Sequence, residues 1–350
     1  MNNKLKLALF SSSPYAIDVL LELAKNFDIK LVVTSPDKPI GRKQEVTPSP
    51  LKKWAIENHI QYETPTTLKN DNGINISNII KTLDVDVSLV IDYGLLIPAV
   101  VFNSPRFKTL NIHFSNLPKY RGPYPDTFVV LNGEKKTAIS CVCIDEGFDT
   151  GRVLAQKEVE VKDNETAGLL HERLYTITAE ILPYIINSWA EWNMGINVNQ
   201  LTINNEQLTI SLPPKKQNES AATFTKKLDR EDGFIEWKIL SNLYQGNDIN
   251  PENLPALIRN YNSEIKSDIL NKIVIKNLKL KIYNWFLALS PWPGVWTTIK
   301  LGTSNLEPET EKRLKILKAH LENNRFIIDE VQLEGKRPVA WEQFCEAYII

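Results

Sequence analysis

TLNIHFSNLPKYRGPYPDTFVVLNGEKKTAISCVCIDEGFDTGRVL, Thr109 to Leu154, decides how this chain is read. It opens with a short apolar run, Thr109–Ile112, that has the length and composition of a strand. Asn111 and His113 lie two residues apart at the end of that run, so their side chains project from the same face. Pro118, Gly122, Pro123 and Pro125 then forbid continuation of the strand and predict a fixed irregular loop. A helical segment and a strand follow, and the stretch closes on an acidic, glycine-punctuated turn, Asp145-Glu146-Gly147-Phe148-Asp149-Thr150-Gly151.

Working outward, short apolar runs at Lys6–Phe10, Ile29–Thr34 and Val87–Ile91 alternate with helical patterns such as Ala16–Phe27. That rhythm predicts a doubly wound α/β sheet, in which sites form at the C-terminal ends of parallel strands. The turn after the first strand reads SSSPYA and lacks the glycine pair of a dinucleotide fingerprint, which argues against NAD or ATP. A long helical pattern spans Asn164–Trp192, with a capping-box candidate at Asp163 to Thr166 that lacks Glu or Gln in its fourth place.

Gly195–Ser220 is rich in Asn, Gln, Pro and Lys and reads as a linker. Beyond it, Phe234–Trp237, Trp296–Leu301, Leu314–Ala319 and Phe326–Asp329 read as strands of a small β-rich domain, with a helix-like stretch at Asn253–Leu289. Two domains suit a chain of 350 residues. The organisation expected is a Rossmann-like domain over residues 1–194, a linker over 195–220 and a β-rich domain over 221–350.

With 41 Lys and Arg against 42 Asp and Glu, the net charge of −1 argues against a generic nucleic-acid binder, so any nucleic-acid contact must use local basic patches. No segment approaches the roughly 20 apolar residues of a membrane span, and no signal peptide is evident, which predicts a cytoplasmic protein. Cys141, Cys143 and Cys345 show neither a disulfide framework nor metal-ligand spacing. No metal is expected, and Cys141 and Cys143 read as buried strand thiols.

An amide donor, an imidazole and a carboxylate make an acyl-transfer kit. Asn111 could stabilise a developing oxyanion. His113, supported by Asp149, could accept a proton from an attacking amine and return it to the leaving nitrogen. The same residues also suit a satisfied structural histidine and a capped turn.

NIHFSNLPKYRG followed by IDEGFDTG resembles the signature of the folate-dependent formyltransferase family. The resemblance implies catalytic roles for Asn111, His113 and Asp149 and a 10-formyltetrahydrofolate donor. It places Ser115, Asn116, Leu117 and Pro118 on a folate-binding loop and Asp92, Tyr93, Gly94 and Leu95 in the pterin pocket. TSPDKPIGRKQEVTPSPLKKWA, Thr34 to Ala55, resembles the tRNA-contacting loop of the branch that formylates methionyl-tRNA, which implies contacts from Lys38, Arg42 and Lys43. KKLDRED (Lys226–Asp232), IEW (Ile235–Trp237), PWPGVW (Pro291–Trp296) and LEGKRP (Leu333–Pro338) resemble that branch's OB-like, tRNA-binding C-terminal domain, here with an insertion at 240–279.

The function implied is formylation of initiator methionyl-tRNA for translation initiation, with no stable protein partner. The rivals are a nucleotide-sugar N-formyltransferase using the same triad and a non-catalytic folate- or RNA-binding relative. Several residues depart from the family pattern beside the expected pocket: Ser11-Ser12-Ser13, Asp92, Asn116, Pro123 and Tyr124.

Overall fold

The computed structural model describes residues 4–40, 44–196, 208–247, 249, 254–261, 278–301, 310–323 and 325–348. The chain divides into two compact units. The first comprises residues 1–125, 136–160 and 171–225; the second comprises 126–135, 161–170 and 226–350.

The first unit is built on an eight-stranded sheet. In chain order its strands are β1 (Lys6–Phe10), β2 (Asp28–Val33), β5 (Gln61–Glu63), β6 (Val87–Ile91), β7 (Thr109–His113), β8 (Lys136–Cys143), β9 (Val153–Glu160) and β10 (Leu208–Lys215). Across the sheet they run β10-β9-β8-β7-β6-β1-β2-β5. The five strands from β5 to β7 are mutually parallel, whereas β8, β9 and β10 each pair antiparallel with their neighbours. Taken alone, the parallel strands have the order 3-2-1-4-5 of a Rossmann-type sheet. β3 (Lys38–Ile40) and β4 (Glu45–Thr47) form a separate two-stranded antiparallel pair within the Thr34–Ala55 stretch.

Both faces of the parallel region are covered. Ala8 and Phe10 of β1, Leu31 and Val33 of β2 and Val90 of β6 share one buried cluster with Ile76 and Ile80 of helix α3 (Asp71–Thr82) and Val101 of α4 (Ala99–Phe102). The alternate positions Leu7, Leu9 and Val32 point the other way and are equally buried. Helices α1 (Ala16–Asn26) and α2 (Pro50–Glu57) pack on each other and on β2.

The stretch expected to be linker contains β10, which pairs with β9 through Leu208↔Lys157, Thr209↔Gln156 and Ile210↔Ala155. Pro213 and Pro214 masked it, yet an edge strand tolerates prolines because one side of its ladder makes no bonds. After the short helix α5 (Pro125–Leu131), the long helix is α6 (Ala167–Asn193), and the side chain that meets its first turn is Thr166, whose Oγ1 accepts the Leu169 N–H at 3.3 Å. Asp163 instead pairs with Lys135. No described helix is long and apolar enough to cross a membrane.

The second unit carries a small antiparallel sheet, β11 (Val295–Leu301), β12 (Thr310–Glu322), β13 (Arg325–Leu333) and β14 (Val339–Ala340), in sequential order. Trp285, on the helix Leu278–Ala288, is buried with its indole N–H on the Asp232 carbonyl at 3.0 Å. The segment expected as a strand at Phe234–Trp237 forms only a bridge from Phe234 to Trp296. A helix begins at Trp237 because Ile239, Leu240 and Leu243 recur at helical spacing and bury together. Of the 240–279 insertion, residues 248, 250–253 and 262–277 lie outside the described residues.

Phe10 is 1% exposed at the centre of the parallel sheet. Phe10→Ala is expected to cost about 3–5 kcal/mol, read as a lower urea midpoint in tryptophan fluorescence. Burial pushes the Cys143 thiol up to about 12 and holds that of Cys141 well above the usual thiol range. A raised pKa keeps the thiol protonated below it, so at pH 8, about four units lower, thiolate is scarce. Both strand thiols should therefore resist Ellman's reagent in native protein and react only after unfolding.

Candidate active site

β7 ends the parallel part of the sheet, and its C-terminal end presents Asn111 and His113 on one face. The strand is fixed on both sides: Asn111 is opposite Val90 on β6 and Val142 on β8, and His113 is opposite Ser140. His113 is 6% exposed. Its Nε2 donates to the Tyr120 carbonyl at 2.9 Å, since a carbonyl oxygen can only accept. Nδ1 is thereby the nitrogen left to gain or lose a proton, and it faces Asp149 Oδ1 at 3.6 Å.

The loop after β7 is tied to the antiparallel strands. Ser115 Oγ donates to the Lys119 carbonyl at 2.6 Å, and Ser140 Oγ of β8 donates to the Ser115 carbonyl at 2.6 Å. The Gln156 amide of β9 reaches Ser140 Oγ at 3.0 Å, the Leu117 carbonyl at 3.1 Å and Asn116 Oδ1 at 3.2 Å. Loop shape therefore depends on two residues, Ser140 and Gln156, that the sequence reading did not select. They are ordinary polar positions within strands and carry no local signal.

The acidic turn is organised by Asp145, whose Oδ1 accepts the Gly147 N–H at 3.1 Å and the Thr150 hydroxyl at 2.6 Å. Asp149 takes φ 54°, a left-handed conformation that Asp adopts more readily than bulkier residues. Its Oδ1 lies 3.4 Å from Asn111 Nδ2, and its Oδ2 accepts the Gly122 N–H at 2.8 Å. Asn111, His113 and Asp149 are thus brought together, although they come from a strand end and a turn 38 residues apart along the chain. Their mutual contacts are long, which suits groups that tighten when a reactant enters.

Asp92, Tyr93, Gly94 and Leu95 follow β6, the strand beside β7. Asp92, at φ 46°, accepts the Ser12 N–H on its carbonyl at 3.1 Å. Its carboxylate takes the Tyr175 hydroxyl at 2.7 Å and faces His171 Nε2 at 3.5 Å. His171 and Tyr175 project from α6 and pack with Tyr15 and Phe114. Burial, then the Asp92 charge, raises the pKa of Tyr124. Asp92 and Tyr124 were singled out in the sequence, whereas His171 and Tyr175 were not; they stand one helical turn apart, a spacing equally common on core-facing helices.

Gly94 opens onto free space, and the Tyr93 hydroxyl is buried without a hydrogen-bond partner among the described residues. An exposed main chain beside an unmet hydroxyl fits a flat heteroaromatic ring rich in donors and acceptors. The serine turn is self-satisfied: Ser11 Oγ accepts the Ser13 N–H and Ser13 Oγ accepts the Tyr15 N–H. Nothing in the structure explains Pro123.

Of the cationic residues expected to meet a nucleic acid, Lys38 is exposed on β3, whereas Arg42 and Lys43 lie outside the described residues. Among the described residues no cluster of His, Cys, Asp and Glu could hold a metal ion.

The site sits at the carboxyl end of a Rossmann-type sheet and offers an amide, an imidazole and a carboxylate, which is the equipment of an acyl-transfer enzyme. The formyl transferase family profile matches residues 7–186, and this chain belongs to that family. It is therefore a formyltransferase. The methionyl-tRNA formyltransferase of Clostridioides difficile strain 630 is 31% identical over 338 residues, covering 95% of this chain and 94% of that protein. The protein of the same description from Clostridium novyi strain NT is 27% identical over 344 residues, covering 97% and 96%. Among solved structures, WlaRD, a sugar 3N-formyl transferase crystallised in the presence of dTDP and 5-N-formyl-THF, shares the fold. It has a TM-score of 0.52 and 17% identity, covering 96% of this chain and all of that one.

A Cβ at Gly151 would lie within 1.9 Å of the Cys143 carbonyl oxygen, a backbone atom that cannot swing aside. Gly151→Ala should therefore displace the Asp149 turn, lowering the melting temperature by several degrees, about 1–3 kcal/mol, and reducing turnover. Wild-type behaviour in both would show that the turn can move without cost.

Proposed function

We propose that this protein transfers a formyl group from 10-formyltetrahydrofolate to the α-amine of methionine esterified to initiator tRNA. The observation that carries the reaction is the convergence of Asn111 and His113 on Asp149, at 3.4 and 3.6 Å. The donor supplies a formyl carbon bound to N10. Asn111 Nδ2 presents an N–H to the formyl oxygen as negative charge develops there. His113 Nδ1 takes the proton that the attacking amine sheds when its nitrogen bonds to the formyl carbon, then delivers it to N10 as the carbon–nitrogen bond to the donor breaks. The Asp149 carboxylate stabilises the imidazolium between those two events. The products are formylmethionyl-tRNA and tetrahydrofolate.

The residues suit this donor. Asp92, Tyr93, Gly94 and Leu95 offer main chain and the unmet Tyr93 hydroxyl to a pterin edge, while Ser115, Asn116, Leu117 and Pro118 form the loop beside it. The acceptor reading is supported by relatives described as methionyl-tRNA formyltransferases that align along nearly the whole chain. Lys38, Arg42 and Lys43, among Pro36, Pro39 and Gly41 in the sequence, are the groups proposed to meet tRNA phosphates, and the Arg42 guanidinium has the chemistry to read a base edge. Action on tRNA implies a cytoplasmic setting.

Single-turnover assays with charged initiator tRNA test the chemistry. His113→Ala should slow transfer by about two to four powers of ten while folate affinity, measured by calorimetry, changes little. Unchanged turnover would refute the mechanism. Activity on a nucleotide amino sugar with none on methionyl-tRNA would refute the acceptor. Replacing Arg42 and Lys43 together by Ala should weaken tRNA binding and reduce the magnitude of its log–log salt slope by roughly one to two. An unaltered slope would leave these cations as bystanders.

A further inference from the structure

Gln217, eight residues before the first unit's last segment ends at Thr225, is 6% exposed and spends both hydrogen-bonding atoms of its side chain on the site. Its Nε2 donates to the Asp149 carbonyl at 2.7 Å and to the Gly151 carbonyl at 2.8 Å. Its Oε1 accepts from Arg121 Nε at 3.1 Å and Nη2 at 2.8 Å. Arg121 is itself 1% exposed. It makes two further bonds to Glu219, Nη1 to Oε2 at 2.8 Å and Nη2 to Oε1 at 2.9 Å. Its main chain pairs with Thr223 and Thr225.

The next residue, Gly122, gives its N–H to Asp149 Oδ2 at 2.8 Å. Asp149 is consequently gripped at both ends: by Gly122 on the carboxylate and by Gln217 on the carbonyl. The two grips are joined through Arg121. An Asp in the left-handed region needs such restraint, because other backbone conformations are open to it.

We propose that Gln217 is a positioning residue for the formyl-transfer site, acting through the Asp149 backbone to aim the carboxylate at His113 Nδ1 and Asn111. This rests on the role assigned to Asp149 above. The amide is chemically selected. A carboxylate could accept from Arg121 but not donate to two carbonyls, a cation could donate but not accept, and Asn is one methylene too short to do both.

The test uses the full-length protein carrying Gln217→Met, which keeps length and neutrality but cannot donate, and Gln217→Asn, which keeps a buried amide in case the first variant does not fold. Thermal melts establish that each is folded. In transfer to methionyl-tRNA, kcat should fall about 10–100-fold, with KM for folate and tRNA within about threefold. In an Asp149→Asn background the same change should cost less than about threefold, because residues acting through one another are not additive.

A second readout needs no substrate. The His113 Cε1–H resonance, identified among four histidines by its loss in His113→Asn, should be displaced by Gln217→Met, and Asp149→Asn should show no further displacement on adding it. Full additivity with Asp149→Asn, or an unmoved His113 resonance in a folded Gln217 variant when Asp149→Asn does move it, would overturn the proposal. If Asp149→Asn alone leaves both turnover and the resonance unchanged, the failure lies with the catalytic reading of Asp149 itself.

Discussion

The site depends on one constraint: the carboxylate of Asp149 must be held against the end of a strand to which it is not adjacent in sequence. Nothing local in the acidic turn does this. Asp145 shapes the turn, but the carboxylate is fixed by an N–H from Gly122, in the loop after β7. β8 runs antiparallel to β7 and β9 antiparallel to β8, so the turn between β8 and β9 lies beside β7, where the Asp149 carboxylate meets Asn111 and His113. The change from parallel to antiparallel pairing beyond β7 is therefore what turns a strand end into a site.

The buried guanidinium of Arg121 shows what that arrangement costs. A charge taken out of water is stabilising only when its donors are met, and here they are met by Gln217 and Glu219. The exchange is visible on the partner as well, since the bond from Arg121 holds the Glu219 carboxyl below its usual range. Glu219 is largely solvated, so its charge screens readily. The buried contact to Gln217 is the one that carries positional information into the turn.

A second group of titratable side chains, Asp92 with His171 and Tyr175, lies at the end of the neighbouring strand β6. It sits where the formyltransferase resemblance places a pterin pocket, and Asp92 is among the residues that depart from the family pattern. Its bonds to α6 account for that departure in part: the carboxylate anchors the helix to the strand end, and its carbonyl receives the serine turn after β1. The departing residues Ser11, Ser12 and Asp92 are thus parts of one local network.

Much of this was legible in the residues. Apolar runs marked β1, β2, β6 and β7 because a strand buried on both faces leaves a continuous hydrophobic signature. The two-residue spacing of Asn111 and His113 placed both on one face because the side-chain period of a strand is two. β10 was hidden, since an edge strand with two prolines looks like a linker, and Thr166 rather than Asp163 meets the first turn of α6 because helix ends follow packing as much as composition. Sequence alone determined the fold class, through local periodicity, and its short motifs carried the family resemblance from which the proposed reacting side chains and the formyl-transfer chemistry follow. Only the tertiary structure decided which nitrogen of His113 is left for the proton and which residues hold Asp149 in place, because Tyr120, Gly122, Arg121 and Gln217 reach the site through contacts that leave no period and no spacing in the chain.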